Sequence, residues 1–384
     1  MNPREQDAVL RMLQDDLAGE HAAILQYLQH TWRMGAAEGD IPCEVGEIAR
    51  DEMRHFRWVA ELVVDLGSDP TIERDIIYVN GSPPVDLMLL DVDAEDRAIA
   101  QYVQHVSNID DRRVTRVIER ILVDERAHRE KFRGYVTELG GDPDAPTPRP
   151  GVGPFSGQRA GAQQAQQEAA AAPEETGPFG QPASHLNNEV VYVEPVHAPT
   201  ADLQLPPGHD RLIAALNSDI GREYTTVLQY LFQSFVHKSN RLGTELQIDL
   251  AQWHMKHWGW MAERVSDLGG EVKPEHADID RTRDAVYVLR HDIAHQHELA
   301  DHYAEERDAT EDEEARKILA RVQAHDEFQV GQLENLLAAV EDQGRAEEQE
   351  TFTAAAERGE APAPAPPPPS HLTVGSLLGR KQDE

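Results

Sequence analysis

An all-α protein of two four-helix bundles joined by a long linker is predicted by three features of the sequence. Apolar residues recur at three- and four-residue spacing through residues 1–140 and again through 210–343. Short breakers such as Gly39-Asp40-Ile41-Pro42 and Gly67-Ser68-Asp69-Pro70 separate the periodic stretches. The two regions also repeat each other: REYTTVLQYL (222–231) parallels GEHAAILQYL (19–28) at an offset of 203, and WMAERVSDLG (260–269) parallels WVAELVVDLG (58–67) at 202. Near-equal offsets over two helices are the mark of a duplicated unit.

Charge and cysteine content remove several classes of function. Of 384 residues, 70 are Asp or Glu and 36 are Lys or Arg, a formal net charge of −34. Such an excess repels nucleic acid and anionic membranes and attracts cations. One cysteine, Cys43, can form neither an internal disulfide nor a cysteine-ligated metal site. The N-terminus has no basic start followed by an apolar run, and no stretch reaches the roughly 20 apolar residues of a membrane helix. A soluble, cytoplasmic protein with neither nucleic-acid nor membrane partners is therefore expected.

Taken in order, the helices of the first region each carry one acidic intrusion on an apolar stripe. Helix one presents Leu10, Leu13, Leu17, Glu20, Ile24 and Tyr27; helix two presents Val45, Ile48, Glu52, His55, Val59 and Leu62. Helix three presents Met88, Val92, Glu95, Ile99, Tyr102 and Val106; helix four presents Val114, Ile118, Ile121, Glu125, His128, Phe132 and Tyr135. A buried, unpartnered carboxylate costs several kcal/mol, so four in one core require compensating positive charge. Arg54, Arg57, Arg126 and Arg129 fall on other faces, which leaves metal ions: four carboxylates balance two divalent cations. Glu and His at i and i+3 lie one above the other on a helix, so Glu52/His55 and Glu125/His128 can each offer an oxygen and a nitrogen to one site. Carboxylate and imidazole without thiolate suit iron or manganese.

The segments EHAAILQY (20–27), DEMRHFRWVAELVVDLG (51–67), EDRAIAQY (95–102) and ILVDERAHREKF (121–132) resemble the bacterioferritin and rubrerythrin branches of the ferritin-like superfamily, across residues 5–140. The resemblance implies a ferritin-like bundle with two iron ions, manganese being the other candidate. In it Glu52 and Glu125 bridge the metals, Glu20 and Glu95 are terminal ligands, and His55 and His128 bind one metal each. Tyr27 falls where bacterioferritins have a tyrosine beside the centre, either a one-electron donor or an aromatic filling the core. Met53 occupies the place of the haem-ligating methionine of bacterioferritins, although haem is the less favoured reading. Helices three and four are joined more tightly than in the family, with 30 residues from Glu95 to Glu125. The paired cysteines of a rubredoxin module are absent.

Residues 141–209, rich in Pro, Gly, Gln and Ala, read as a flexible linker; within it LNNEVVYVEPVHAPTADLQL (186–205) fits a short strand or an extended arm. The second bundle, 210–343, places Glu223 opposite Glu20 and His257 opposite His55, while His254 replaces Glu52. On helix four His325 is matched to His128 and Val322 to Glu125; on helix three the counterpart of Glu95 is Asp292 or Gln296, according to where a four-residue gap falls. Three readings stay open: a purely structural bundle, a single metal at Glu223, His254, His257 and His325, or another ligand such as haem. Residues 344–370, which contain APAPAPPPPS, read as a disordered spacer.

The final segment, 371–384, contains LTVGSLLGR, with Leu372, Val374, Leu377 and Leu378 as apolar anchors that have no domain to pack into. It resembles the targeting peptide by which cargo proteins bind the inner wall of encapsulin nanocompartments. Together these features lead to an expected ferroxidase held inside an encapsulin shell, oxidising Fe(II) with oxygen or peroxide for iron storage and protection from oxidative stress. A peroxidase or manganese-catalase-type enzyme with the same ligands, and a non-enzymatic iron-binding or shell-adaptor protein, are the alternatives. Pairing of the bundles into an oligomer is a further expectation.

Overall fold

The first helix, α1 (Pro3–Met34), starts where Asn2 and Glu5 cap each other reciprocally, with Pro3 in the first turn. A single 3-10 turn, Gly35–Glu38, leads to α2 (Ile41–Asp65). That helix stops at Gly67, whose φ of 84° opens the left-handed region and lets the Ser68 amide close back on the Val63 carbonyl at 3.1 Å. A strap then runs back along the bundle to α3 (Pro84–Asn108), and a tight turn leads to α4 (Arg112–Glu138), capped by the Asp111 side chain. The computed structural model describes residues 2–80, 83–147, 190–193, 209–237 and 241–357. Within them lie four further helices: α5 (Asp210–Val236), α6 (Arg241–Asp267), α7 (Ala285–Ala309) and α8 (Glu313–Glu357). The protein is thus all-α, with two four-helix bundles. Among the described residues no helix is long and apolar enough to cross a membrane.

Each strap is fastened to the first helix of its bundle by side-chain amides, which satisfy backbone that would otherwise be stranded over the core. Gln14 accepts from the Thr71 amide at 2.7 Å and donates to the Asp69 carbonyl at 2.7 Å. Asn217 does the same for Lys273 and Glu271, at 2.8 and 2.9 Å. Further along, Gln26 accepts from the Tyr78 amide at 2.9 Å, and Gln229 from the Asp280 amide at 2.7 Å. The first strap includes β1 (Ile77–Asn80), which pairs in parallel with β2 (Val190–Val193), Ile77 opposite Val190. The stretch 186–205 therefore contributes a short strand.

Two boundaries differ from the sequence expectation or fall beyond reach. Helix α8 continues to Glu357, through residues assigned to a disordered spacer. The sequence EDQGRAEEQETFTAAAE is rich in Ala, Glu and Gln and has no proline, so nothing in it stops a helix. Most of the linker (148–189 and 194–208), the remainder of the spacer and the whole of 371–384 lie outside the described residues.

The bundles pack against each other through α1 and α2 on one side and α5 and α6 on the other. One apolar cluster takes residues from both, including Leu25, Trp32 and Val79 with Leu228, Trp258 and Met261. Trp32 meets Trp258 at 5.6 Å between ring centres, and Phe56 meets Phe235 at 6.1 Å. These are the same contact made twice, since Trp32 and Phe235 are equivalent at offset 203 and Phe56 and Trp258 at 202. At the seam His21 accepts a 2.5 Å hydrogen bond from its own equivalent, Tyr224. Reciprocal contacts of this kind define a two-fold, isologous interface, here within one chain.

Trp258 is buried and also stacks on Tyr224 at 4.8 Å. Trp258→Ala is expected to cost about 3–5 kcal/mol. Urea unfolding followed by helicity should show one transition, displaced to lower denaturant; an unshifted midpoint would mean that the seam contributes nothing.

Candidate metal centre

All six ligand candidates of the first bundle point into one space. Glu20, Glu52, His55, Glu95, Glu125 and His128 are each at most 4% exposed. They form two overlapping groups of potential ligand atoms: Glu20, Glu52, His55 and Glu125 in one, Glu52, Glu95, Glu125 and His128 in the other. Glu52 and Glu125 belong to both, as bridging carboxylates would. The Nδ1 atom of His55 lies 2.9 Å from Glu52, 2.9 Å from Glu125 and 3.6 Å from Glu20. His128 Nδ1 lies 2.8 Å from Glu52 and 3.9 Å from Glu95.

These side chains satisfy one another only in part, through the pair His55 Nδ1 and Glu52 Oε2 at 2.9 Å. One oxygen of each of the four Glu carboxylates, and His128 Nδ1, are buried without a hydrogen-bond partner. His128 Nδ1 and Glu52 Oε1 are close, but not at a hydrogen-bonding angle. Buried lone pairs left without partners around a shared point fit metal ions, and the donor set fits iron or manganese.

Two aspartates that the stripes did not single out, and two tyrosines that lie on them, hold these ligands in place. His55 Nε2 lies 3.4 Å from Asp124, and His128 Nε2 lies 3.3 Å from Asp51. Each aspartate precedes the Glu of the opposite helix, so two Asp-Glu-x-x-His runs orient each other's imidazoles with Nδ1 inward. Tyr27 donates to Glu95 at 2.7 Å, and Tyr102 donates to Glu20. Both pairs come from one spacing, a Glu followed seven residues on by a Tyr, on α1 and on α3. That repeated spacing was the available signal for Tyr102. Met53 is half-buried against the apolar cluster that includes Phe235, and its equivalent Met255 packs in a different cluster with Leu250 and Leu333. A cavity of about 60 Å³ reaches the centre between α1 and α3, lined by Glu20, Glu52 and Tyr102 and by the small residues Gly19, Ala22, Ala94 and Ala98.

Burial and the neighbouring charges shift the proton equilibria of these groups. Burial, and then the charge of Glu125, push the Glu20 carboxyl well above the usual range, and Glu95 is raised by burial with Glu125 and Glu52. Burial works against the charged imidazoles of His55 and His128, but the surrounding carboxylates prevail and raise both. Burial likewise works against a charged Glu52, yet the two imidazoles hold it low.

In the second bundle the structure corrects the helix-four alignment. Tyr303 donates to Glu223 at 2.5 Å, as Tyr102 does to Glu20, and Gln296 donates to Tyr230 at 2.8 Å, where Tyr27 meets Glu95. Gln233 meets Asp292 at 3.4 Å where His30 meets Asp91. Helix three is therefore displaced by 201 (303 − 102), and Gln296, not Asp292, stands in the place of Glu95. Helix four keeps this offset: the inward positions 114, 118, 121, 125, 128, 132 and 135 map onto 315, 319, 322, 326, 329, 333 and 336, all buried. Val322 thus corresponds to Ile121, His325 to Asp124, Asp326 to Glu125 and Gln329 to His128. As Asp124 lies against His55, so His325 Nδ1 lies 3.1 Å from His257 Nε2. Glu223, His254 and His257 come together, and His325 stands behind them. His291 and His297 are exposed, while His302 pairs with Asp219 at 2.7 Å.

A family model described as Ferritin-like matches residues 13–94. The bacterioferritin of Desulfovibrio desulfuricans is 30% identical over 139 residues, which cover 34% of this chain and 78% of that protein. An X-ray structure of Desulfovibrio desulfuricans bacterioferritin, described for its diiron site in different catalytic states, aligns at 26% identity over 41% of this chain and 99% of that one, with a TM-score of 0.35.

Because burial and the clustered charges make Glu20, Glu95, His55 and His128 hold protons more tightly than free side chains do, a metal has to compete with protons. Affinity should rise with pH, and anaerobic titration of the first centre with a divalent metal should show weaker binding as the pH is lowered, with protons released on binding. Calorimetry in two buffers of different ionisation enthalpy checks this; identical heats in both would contradict it.

Proposed function

This chain belongs to the ferritin-like family, and from that premise we propose that its first bundle is a ferroxidase centre acting on Fe(II) for iron storage. The observation that carries the reading is the pair of overlapping ligand groups sharing Glu52 and Glu125. Two bound irons would supply the electrons passed to oxygen or peroxide. The chain supplies four carboxylates against the charge of two divalent ions, and two imidazoles fixed by Asp51 and Asp124. Tyr27 donates its hydroxyl hydrogen bond to Glu95 and so has a proton acceptor at hand if it gives up an electron. The cavity between α1 and α3 provides the approach, and the acidic excess of the chain favours arrival of a cation. Manganese with peroxide would use the same ligands.

We read the second bundle as an altered copy of the first, on the strength of helix and strap contacts repeated at offsets of 201–203. The pairing of the two bundles then reproduces within one chain a contact that separate subunits could make. For the segment 371–384 the proposal rests on sequence: LTVGSLLGR would dock this chain inside an encapsulin shell.

Stopped-flow measurement of ferric product should show Glu52→Ala slowed by more than about tenfold relative to wild type, with oxygen and with peroxide as separate arms. Equal rates would remove Glu52 from the centre. Co-expression with shell protein should give particles that contain the full chain and exclude one lacking 371–384; a truncated chain still found inside would end the targeting proposal.

A further inference from the structure

The corrected alignment leaves the second bundle with half of a ligand set rather than a scatter of histidines. At the positions of Glu20, Glu52, His55 and Glu125, which form one metal's group in the first bundle, stand Glu223, His254, His257 and Asp326. At the remaining two positions stand Gln296 and Gln329, both neutral. All six are buried, Glu223, His254, His257 and Asp326 completely.

Glu223, His254 and His257 bring ligand atoms to one point, and Asp326 stands beside His257. Glu223 Oε2 lies 2.6 Å from His254 Nδ1 and 3.4 Å from His257 Nδ1, which in turn lies 3.7 Å from Asp326 Oδ1. His257 Nδ1 and both carboxylate oxygens of Asp326 are buried with no hydrogen-bond partner. A fully buried carboxylate with neither oxygen satisfied is costly unless something positive sits beside it. Only Glu223 and Asp326 bring negative charge, and two carboxylates balance one divalent ion where four balance two.

Both imidazoles are held for this role from behind. His257 Nε2 faces His325 Nδ1, so a proton on Nε2 leaves the Nδ1 lone pair free to point inward. His254 Nε2 lies 2.8 Å from the Gln296 amide, which also meets Tyr230 at 2.8 Å. The other ring nitrogen, His254 Nδ1, faces Glu223.

We propose that the second bundle holds a single divalent first-row transition-metal ion between Glu223, His254, His257 and Asp326, with His325 and Gln296 positioning the imidazoles. Two histidines and two carboxylates suit zinc, iron or manganese in the divalent state. With no second ligand group beside it, the ion has no partner ion to share a two-electron step. Its effect is to tie α5, α6 and α8 together, stabilising the bundle by mass action. This proposal is independent of the ferroxidase reading.

The test uses the full chain with the first centre silenced by Glu52→Gln and Glu125→Gln, stripped of metal, exposed to Zn(II) and desalted. Elemental analysis should find one zinc per chain, and zinc should raise the thermal midpoint. Adding Asp326→Asn, which keeps the side chain's shape, should abolish the bound zinc, as should His254→Ala, whereas His325→Ala should retain it at reduced affinity. Far-ultraviolet circular dichroism confirms that each variant is folded. No zinc in the silenced chain, zinc surviving both Asp326→Asn and His254→Ala, or zinc lost completely in His325→Ala while surviving Asp326→Asn would each overturn the proposal.

Discussion

Neutralising carboxylates inside a helical core is the constraint around which this protein is arranged. Four glutamates, one from each helix, sit where water cannot solvate them, and each buried charge costs several kcal/mol unless something opposes it. Metal ions and protons are interchangeable in that role, which makes the centre a competition between them. The positions of Asp51 and Asp124 follow from the same need, since an imidazole held from its outer nitrogen keeps its inner one on the ligand cluster. So does the burial of Tyr27 and Tyr102, whose hydroxyls each take up a carboxylate oxygen.

In the second bundle the same constraint operates with fewer charges. With His254, Gln296 and Gln329 at the Glu52, Glu95 and His128 positions, four carboxylates become two and six candidate ligands become four. Gln296 and Gln329 fill the vacated positions with amides of similar size, so the core keeps its shape without needing another cation. Val322, at first matched to Glu125, lies in the apolar cluster shared by the two bundles.

Much of this was legible in the sequence because helical periodicity is strict. In the first bundle the stripes named every ligand candidate, since a Glu among Val, Ile and Leu is visible without coordinates. Asp51 and Asp124 were not legible: acidic residues beside a polar face look solvated until the neighbouring helix is placed. The register of helix four in the second bundle failed for a related reason. His325 resembled His128 in identity, and identity outweighed the burial pattern of Ala315, Leu319, Val322, Leu333 and Leu336, which only the offset of 201 brings into line. Pairing of the bundles was expected, but the residues that make it were not legible, because Trp32, Phe56, Phe235 and Trp258 read as ordinary core residues of their own bundles.

The offsets between the bundles fall from 203 on the first helix to 202 on the second and 201 on the third and fourth. Strap contacts at Asp69, Thr71 and Tyr78 still carry 202, so the second difference in length lies between Tyr78 and Pro84. The two bundles accordingly differ in length only in their connections. One residue removed within a helix would turn everything beyond it by about 100°, carrying ligands to the surface and apolar residues into water. A chain of this design can vary in length at its corners and remain silent about it at its centre.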